Sequence, residues 1–296
     1  MKKHTTAHRS LAFGARRGAI ALVWALSGAA AQADASKTIT GLATPESALI
    51  GPDGRIYVSE IGGFGKDGDG KVTAIGPDGK ATPFASGMDD PKGLAAIGKT
   101  IYVADKTRIW KIDAKGTASV FVKADDFPLP LLFLNDLTVD RSGNLFVSDS
   151  GDIEKGGKGA IFKVTPAGKV SLVVSEAQNP AIKSPNGLLF EPSGKLLVVD
   201  FASGDLLRLD VGTGTTEKIA EGFGGGDGLA RGAQGLLYVS DWKNGRVWKL
   251  DMKSEGAKPE PYPQTFQAAA DIALSKDGKF ILVPDMKAGT LVWLPK

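Results

Sequence analysis

Ser184-Pro185-Asn186-Gly187-Leu188-Leu189-Phe190, followed by Glu191-Pro192-Ser193-Gly194-Lys195 and Leu196-Leu197-Val198-Val199-Asp200, is the stretch that decides the fold. It reads as a buried strand, a tight turn at Pro192-Ser193-Gly194, and a second apolar strand that ends in a carboxylate. Glycine supplies the positive φ that such a turn needs, and Ser or Asp bonds its own backbone there. Asn186 opens the unit and Asp200 closes it, 200 − 186 = 14 residues later.

The same unit occurs six times. Its second strand ends in Tyr57-Val58-Ser59-Glu60, Tyr102-Val103-Ala104-Asp105, Phe146-Val147-Ser148-Asp149, Leu197-Val198-Val199-Asp200, Tyr238-Val239-Ser240-Asp241 and Leu282-Val283-Pro284-Asp285. The six acids are spaced by 45, 44, 51, 41 and 44 residues. A third strand follows, as in Arg108–Asp113, Leu206–Asp210 and Arg246–Asp251, then a weaker fourth, as in Thr82–Ala85 and Ser119–Val122. Four antiparallel strands at this period are the signature of a propeller blade. The expected fold is all-β, a six-bladed β-propeller over residues 34–296. The sixth copy stops after its third strand, at Leu294-Pro295-Lys296, so Ser36-Lys37-Thr38-Ile39-Thr40 is expected to complete that blade and close the ring. Closure removes exposed sheet edges.

Residues 1–33 read as a cleaved secretory signal peptide. They hold Lys2, Lys3, Arg9, Arg16 and Arg17, an apolar core Ala19–Leu26, and a small-x-small site at Ala31-Gln32-Ala33. The apolar core is too short to span a bilayer. The expected location is therefore periplasmic or secreted, with no membrane association after cleavage. Removing the signal changes the net charge to 3 − 5 = −2, so the basic full chain gives no reason to expect nucleic acid. Both histidines, His4 and His8, also leave with it, and the chain has no cysteine. Imidazole bases, thiol nucleophiles, disulfides and soft-metal sites are thereby excluded from the mature chain. Any metal must be held by oxygen, which favours Ca²⁺, with Mg²⁺ next.

Counting back 14 residues from the strand-end acids gives Glu46, Asn135, Asn186, Asp227 and Asp271. The second copy has a shorter turn, and counting back 13 gives Lys92. The first strand of a blade lines the central channel, so these six are expected to converge at one mouth. Carboxylate and amide oxygens in a ring suit a hard cation. A water-filled mouth, or turn capping, would favour the same residue types. The opening row varies from blade to blade, as a site does; the row of strand-end acids does not, and reads as structural. Lys92 breaks the pattern. It neutralises surplus carboxylate, binds a substrate's acid or carbonyl group, or replaces the metal. The loops 61–70 and 150–157 lie on the same face, and the apolar segment Phe127–Leu134 leads straight to Asn135. They either roof a cavity with apolar walls and a polar floor or plug the channel.

At these residues the chain resembles the SMP-30/gluconolactonase, or regucalcin-like, family of six-bladed propellers. The resemblance covers the whole mature chain and is most specific at Asn135-Asp136, Pro185-Asn186-Gly187-Leu188 and Gly226-Asp227-Gly228-Leu229. It implies a divalent cation held by Glu46, Asn135, Asn186 and Asp227, and no organic cofactor. It also implies Asp227 as a general base in lactone hydrolysis and Asp136 as a substrate contact. The chain departs from the family in three ways: Glu-Gly-Pro is here Glu46-Ser47-Ala48; the sugar-binding arginine two residues before the ligand Asn is here Phe133; and the resemblance assigns no role to Lys92 or Asp271. Loss of that arginine points to a substrate more apolar than a sugar lactone, with Phe133 and Lys92 facing it. A carboxylate bound to a cation is a weak base, which makes Asp271 a second candidate for that role. The expected function is a periplasmic, cation-dependent lactonase or esterase acting as a monomer on a small molecule. The alternative is a non-catalytic, NHL-like propeller that binds a ligand or protein partner.

Overall fold

Every apolar run of the repeat forms a strand, and the strands associate in fours. In the computed structural model, which describes Met1, residues 37–254, Gly256 and residues 258–296, six antiparallel four-stranded sheets follow one another along the chain. The expected signal peptide at 1–33 lies outside the described residues apart from Met1. After β1 (Thr38–Thr40), the first sheet is β2 (Pro45–Ile50), β3 (Ile56–Glu60), β4 (Gly70–Ile75) and β5 (Ala81–Met88). The second is β6 (Pro91–Ile97), β7 (Thr100–Asp105), β8 (Arg108–Ile112) and β9 (Ala118–Val122). The third is β10 (Leu134–Val139), β11 (Leu145–Asp149), β12 (Ala160–Val164) and β13 (Val170–Ser175). The fourth is β14 (Pro185–Phe190), β15 (Leu196–Asp200), β16 (Asp205–Leu209) and β17 (Thr216–Glu221). The fifth is β18 (Gly226–Arg231), β19 (Leu236–Asp241), β20 (Arg246–Asp251) and β21 (Glu260–Pro261). The sixth joins both ends of the described chain: β22 (Ala273–Leu274), β23 (Phe280–Asp285) and β24 (Thr290–Pro295) are completed by β1, which pairs with β24.

The core lies between sheets rather than within one. Ala104, Ile109 and Val122 of the second sheet pack with Leu137, Val147 and Phe162 of the third. Leu282, Leu291 and Trp293 of the sixth pack with Ala48, Val58 and Ile75 of the first. Each neighbouring pair of sheets shares such a cluster, the last with the first included. Burial of these faces supplies the main driving force for the fold.

The strand-end acids fasten the mouth of the channel. Each accepts backbone N–H groups from the segment that enters its own blade: Asp149 from Leu132 and Phe133 at 2.9 and 2.8 Å, Asp200 from Lys183 and Ser184 at 2.9 and 2.7 Å. Glu60, Asp105, Asp241 and Asp285 do the same for Ala43, Asp90, Gly225 and Ala268. A buried N–H left without an acceptor costs about 1–3 kcal/mol, so the acid at each strand end is structurally required.

Opposite these acids the inner strand bulges. Pro45 pairs with Glu60 and Ala48 with Val58, so Glu46 and Ser47 together face Ser59. The same shift occurs at Lys92-Gly93, Asn135-Asp136, Asn186-Gly187 and Asp227-Gly228. A bulge leaves one residue's backbone unpaired and re-aims the side chains beside it. The serine before the acid meets that need in three blades: Ser59, Ser148 and Ser240 accept the N–H of Ser47, Asp136 and Gly228 at 2.9, 2.9 and 2.7 Å.

In the sixth sheet the register departs from the sequence count. Asp285 faces Ala269, a separation of 285 − 269 = 16, whereas Asp241 faces Gly226, a separation of 241 − 226 = 15. The turn around Asp277-Gly278 is one residue longer. Counting 14 back from Asp285 therefore overshoots by one residue. The residue equivalent to Asp227 is Ala270, and Asp271 is equivalent to Gly228, Asp136 and Ser47.

Candidate functional site

The bulges bring Glu46, Lys92, Asn135, Asn186 and Asp227, one from each of five blades, to the floor of a cavity of about 410 Å³. All five are buried. Three of their oxygens, Glu46 Oε2, Asn186 Oδ1 and Asp227 Oδ1, are buried with no hydrogen-bond partner among the described residues. Asn135 is oriented by its Nδ2, which donates to Ser150 Oγ at 3.1 Å. Buried polar atoms are almost always paired, because losing water without a replacement is costly. Three unpaired oxygens from separate blades, two of them on carboxylates, are the donor types that a hard divalent cation takes. Among the described residues no group of three or more His, Cys, Asp or Glu is placed to hold a metal; this set combines two carboxylates with two amides.

Burial and mutual repulsion shift the titration of the ring's charged groups. Burial, then the nearby Asp227 and Asp271, raises the Glu46 carboxyl well above its ordinary value. Burial, then Asp271, raises Asp227 as well. The Lys92 ammonium is lowered by burial, against the opposing pull of Glu46. Its one hydrogen bond among the described residues runs from Nζ to the Asp90 carbonyl at 3.0 Å, and Nζ lies 4.3 Å from the centre of the Phe133 ring. Phe133 itself lines the cavity.

Asp136 and Asp271 are not on the cavity wall. They sit one residue further along their strands and tie inner strands together. Asp136 accepts from the Leu188 N–H of the next blade at 2.6 Å, and Asp271 from Ser47 Oγ of the first blade at 2.5 Å. Burial, then Asp271, raises Asp136 well above its usual range, and burial pushes Asp271 up to about 7.

Sequence counting missed a third row. The residue after each strand-end acid is Ile61, Lys106, Ser150, Phe201, Trp242 and Met286 in turn. Ile61, Ser150, Phe201, Trp242 and Met286 all line the cavity above the ring. Their signal was available, since each follows directly on an acid already singled out. Phe64 and Ile153, from the two long loops, extend the wall to the rim and are 57% and 43% exposed. A separate hollow of about 440 Å³, lined by Tyr238, Lys249, Glu260 and Tyr262 among others, contains none of the ring residues.

Among known proteins, the model of the SMP-30/gluconolactonase/LRE-like region matches residues 91–275. A solved calcium-binding protein, regucalcin from Agrobacterium tumefaciens, superposes with a TM-score of 0.68 at 22% identity, covering 86% of this chain and 90% of its own. A chain of a nidogen/laminin complex superposes with a TM-score of 0.61 at 19% identity, covering 77% and 84%. At these identities the two structures speak for the fold alone. No curated protein matches in sequence. With more than half its length matched by the family model, the chain belongs to the SMP-30/gluconolactonase/LRE-like family.

Proposed function

We propose that this chain is a divalent-cation-dependent hydrolase of lactones or related esters, with Ca²⁺ the first candidate and Mg²⁺ the second, exported to the periplasm or beyond. The observation that carries the reading is the convergence of the unpaired oxygens of Glu46, Asn186 and Asp227 beside Asn135. These four residues would hold the cation. Bound there, it would polarise an ester carbonyl and stabilise the developing oxyanion. The chain supplies the rest. Asp227 lines the cavity with Glu46, and by its match to the family's Asp it is the carboxylate that would take a proton from the attacking water. Asp271 of the sixth blade raises the proton affinity of Asp227. Phe201, Trp242 and Met286 limit water above the ring, which strengthens polar interactions within it. With Phe133 in place of a sugar-binding arginine and this apolar wall above, alkyl or aryl substrates fit better than sugar lactones.

The test is metal analysis of the purified chain, followed by a screen of lactones and aryl esters with and without chelator. Bound Ca²⁺ and chelator-sensitive turnover are expected. A chain that binds no cation, gains no thermal stability from Ca²⁺ and hydrolyses nothing would instead be a ligand-binding propeller.

A further inference from the structure

The cavity has two chemically distinct sides. Following the third row around the ring, Phe201, Trp242, Met286 and Ile61 come from four consecutive blades, the fourth, fifth, sixth and first. Ala270 packs with this arc, since Ile61, Ala268, Ala270 and Met286 form one buried cluster with Trp242 packed against it. The third blade gives Ser150 in the same row, Lys106 of the second pairs with Asp67 instead of lining the cavity, and the ring below has Lys92 and Asn135. Of the five ring residues the one cation, Lys92, thus stands on the second blade beside Asn135 of the third, while the carboxylates Glu46 and Asp227 come from the first and fifth.

The Lys92 side chain is almost wholly buried, at 2% exposure, yet among the described residues its ammonium makes one hydrogen bond and rests on the Phe133 face. An ammonium has three donors, so two remain for a ligand. A buried cation needs an anionic partner to offset its lost hydration. Glu46, Asp90 and Asp105 act on Lys92 only across space, and among the described residues no ion pair joins it to any carboxylate. An anion arriving from the cavity answers that deficit.

We propose that the substrate is an amphiphile, an ester or lactone with an alkyl or aryl arm and a carboxylate. The arm lies on Phe201, Trp242, Met286 and Ile61, and Lys92 receives the carboxylate. This deepens the hydrolase reading and rests on it for the bond cleaved, but the binding claim stands apart from turnover.

The experiment measures binding without chemistry. Octanoate, octanamide and acetate are titrated into the full chain, in saturating Ca²⁺ and in chelator, and followed by calorimetry and by quenching of tryptophan fluorescence. Octanoate is expected to bind about tenfold or more tighter than octanamide, the difference a charge-assisted hydrogen bond makes. Acetate, which has no arm, is expected to bind at least tenfold more weakly than octanoate. Lys92→Met should abolish the preference for octanoate over octanamide. Should that variant fail to fold, Lys92→Gln, which keeps a donor and loses the charge, carries the same expectation. Equal binding of acid and amide by the wild type overturns the proposal, as does acetate binding as tightly as octanoate. A preference for octanoate that survives in the lysine variants but vanishes in chelator also overturns it, because the carboxylate then sits on the cation. Failure of every lactone to hydrolyse, with octanoate binding intact, would refute the hydrolase reading and leave the two-sided cavity in place.

Discussion

Gly187 stands between two residues of the ring, and Gly187→Ala tests how tightly the fold holds them. A Cβ at Gly187 would fall 2.1 Å from the carbonyl oxygen of Asp227 and 3.1 Å from the Cα of Gly228. Real Cβ contacts do not fall below 3.0 Å, so the two inner strands must separate by at least 3.0 − 2.1 = 0.9 Å. The obstacle is backbone, and no rotamer relieves it. Overpacking of this kind costs about 3 kcal/mol at the upper end of its usual range, while replacing glycine restricts the unfolded chain and returns about 0.4–1 kcal/mol. The net loss of about 2 kcal/mol corresponds to a fall in Tm of about 4–8 °C for a domain of this size. The effect on the site should be larger than the effect on the fold. Asn186 precedes Gly187, and the strained contact is with Asp227 itself, so two candidate ligands move apart. Ca²⁺–oxygen distances span only about 2.3–2.6 Å, and a shift of this size takes at least one ligand out of reach. Thermal melts and Ca²⁺ calorimetry on the variant check both expectations, with a tenfold or greater loss of Ca²⁺ affinity predicted. Gly194→Ala is the control: its Cβ meets nothing within 4 Å, but its φ of +88° is strained for alanine, at about 1 kcal/mol. It should lower Tm and leave Ca²⁺ affinity unchanged. A Gly187→Ala chain with wild-type Tm and wild-type Ca²⁺ affinity would refute the reasoning.

Three further expectations follow from the same geometry. Asp149→Ala strands the N–H groups of Leu132, Phe133 and Gly151 and should cost about 3–5 kcal/mol in urea unfolding; a loss below about 1 kcal/mol would mean that water replaces the carboxylate. At saturating Ca²⁺, Asp227→Asn should lower kcat by about 100-fold or more and Asp271→Asn by clearly less, because only Asp227 lines the cavity; the reverse order would make Asp271 the base. The carboxyl of Asp210 is held below its ordinary value by the backbone N–H groups of Gly212 and Thr213. A depressed folded pKa gives stability that is present above the unfolded value, near 3.8, and lost as pH falls through the folded one. The urea midpoint of Asp210→Asn should therefore fall less than that of the wild type between pH 5 and pH 3, whereas parallel curves would count against the turn bonds.

The blades, the strand-end acids and five of the six stations are legible in the local pattern of the chain. These features are local: a turn needs glycine at a given offset, a strand needs an apolar run, and both repeat at a readable period. The sequence also settled what the described chain lacks, since both histidines fall in residues 1–33 and cysteine is absent. Tertiary structure decided the rest. Which residue occupies the sixth station depends on register across a bulge, where one extra turn residue exchanges Asp271 for Ala270. Counting cannot see this, because pairing is fixed by contacts between segments and not by spacing within one. The placement of Asp271 against Ser47 spans 224 residues and joins the last blade to the first. The surroundings of Lys92 are likewise a matter of the folded chain, since its ammonium meets Phe133 only when two blades pack together. The apolar arc was spelled out in the sequence one residue at a time, but only closure of the ring turns Phe201, Trp242, Met286 and Ile61 into one wall.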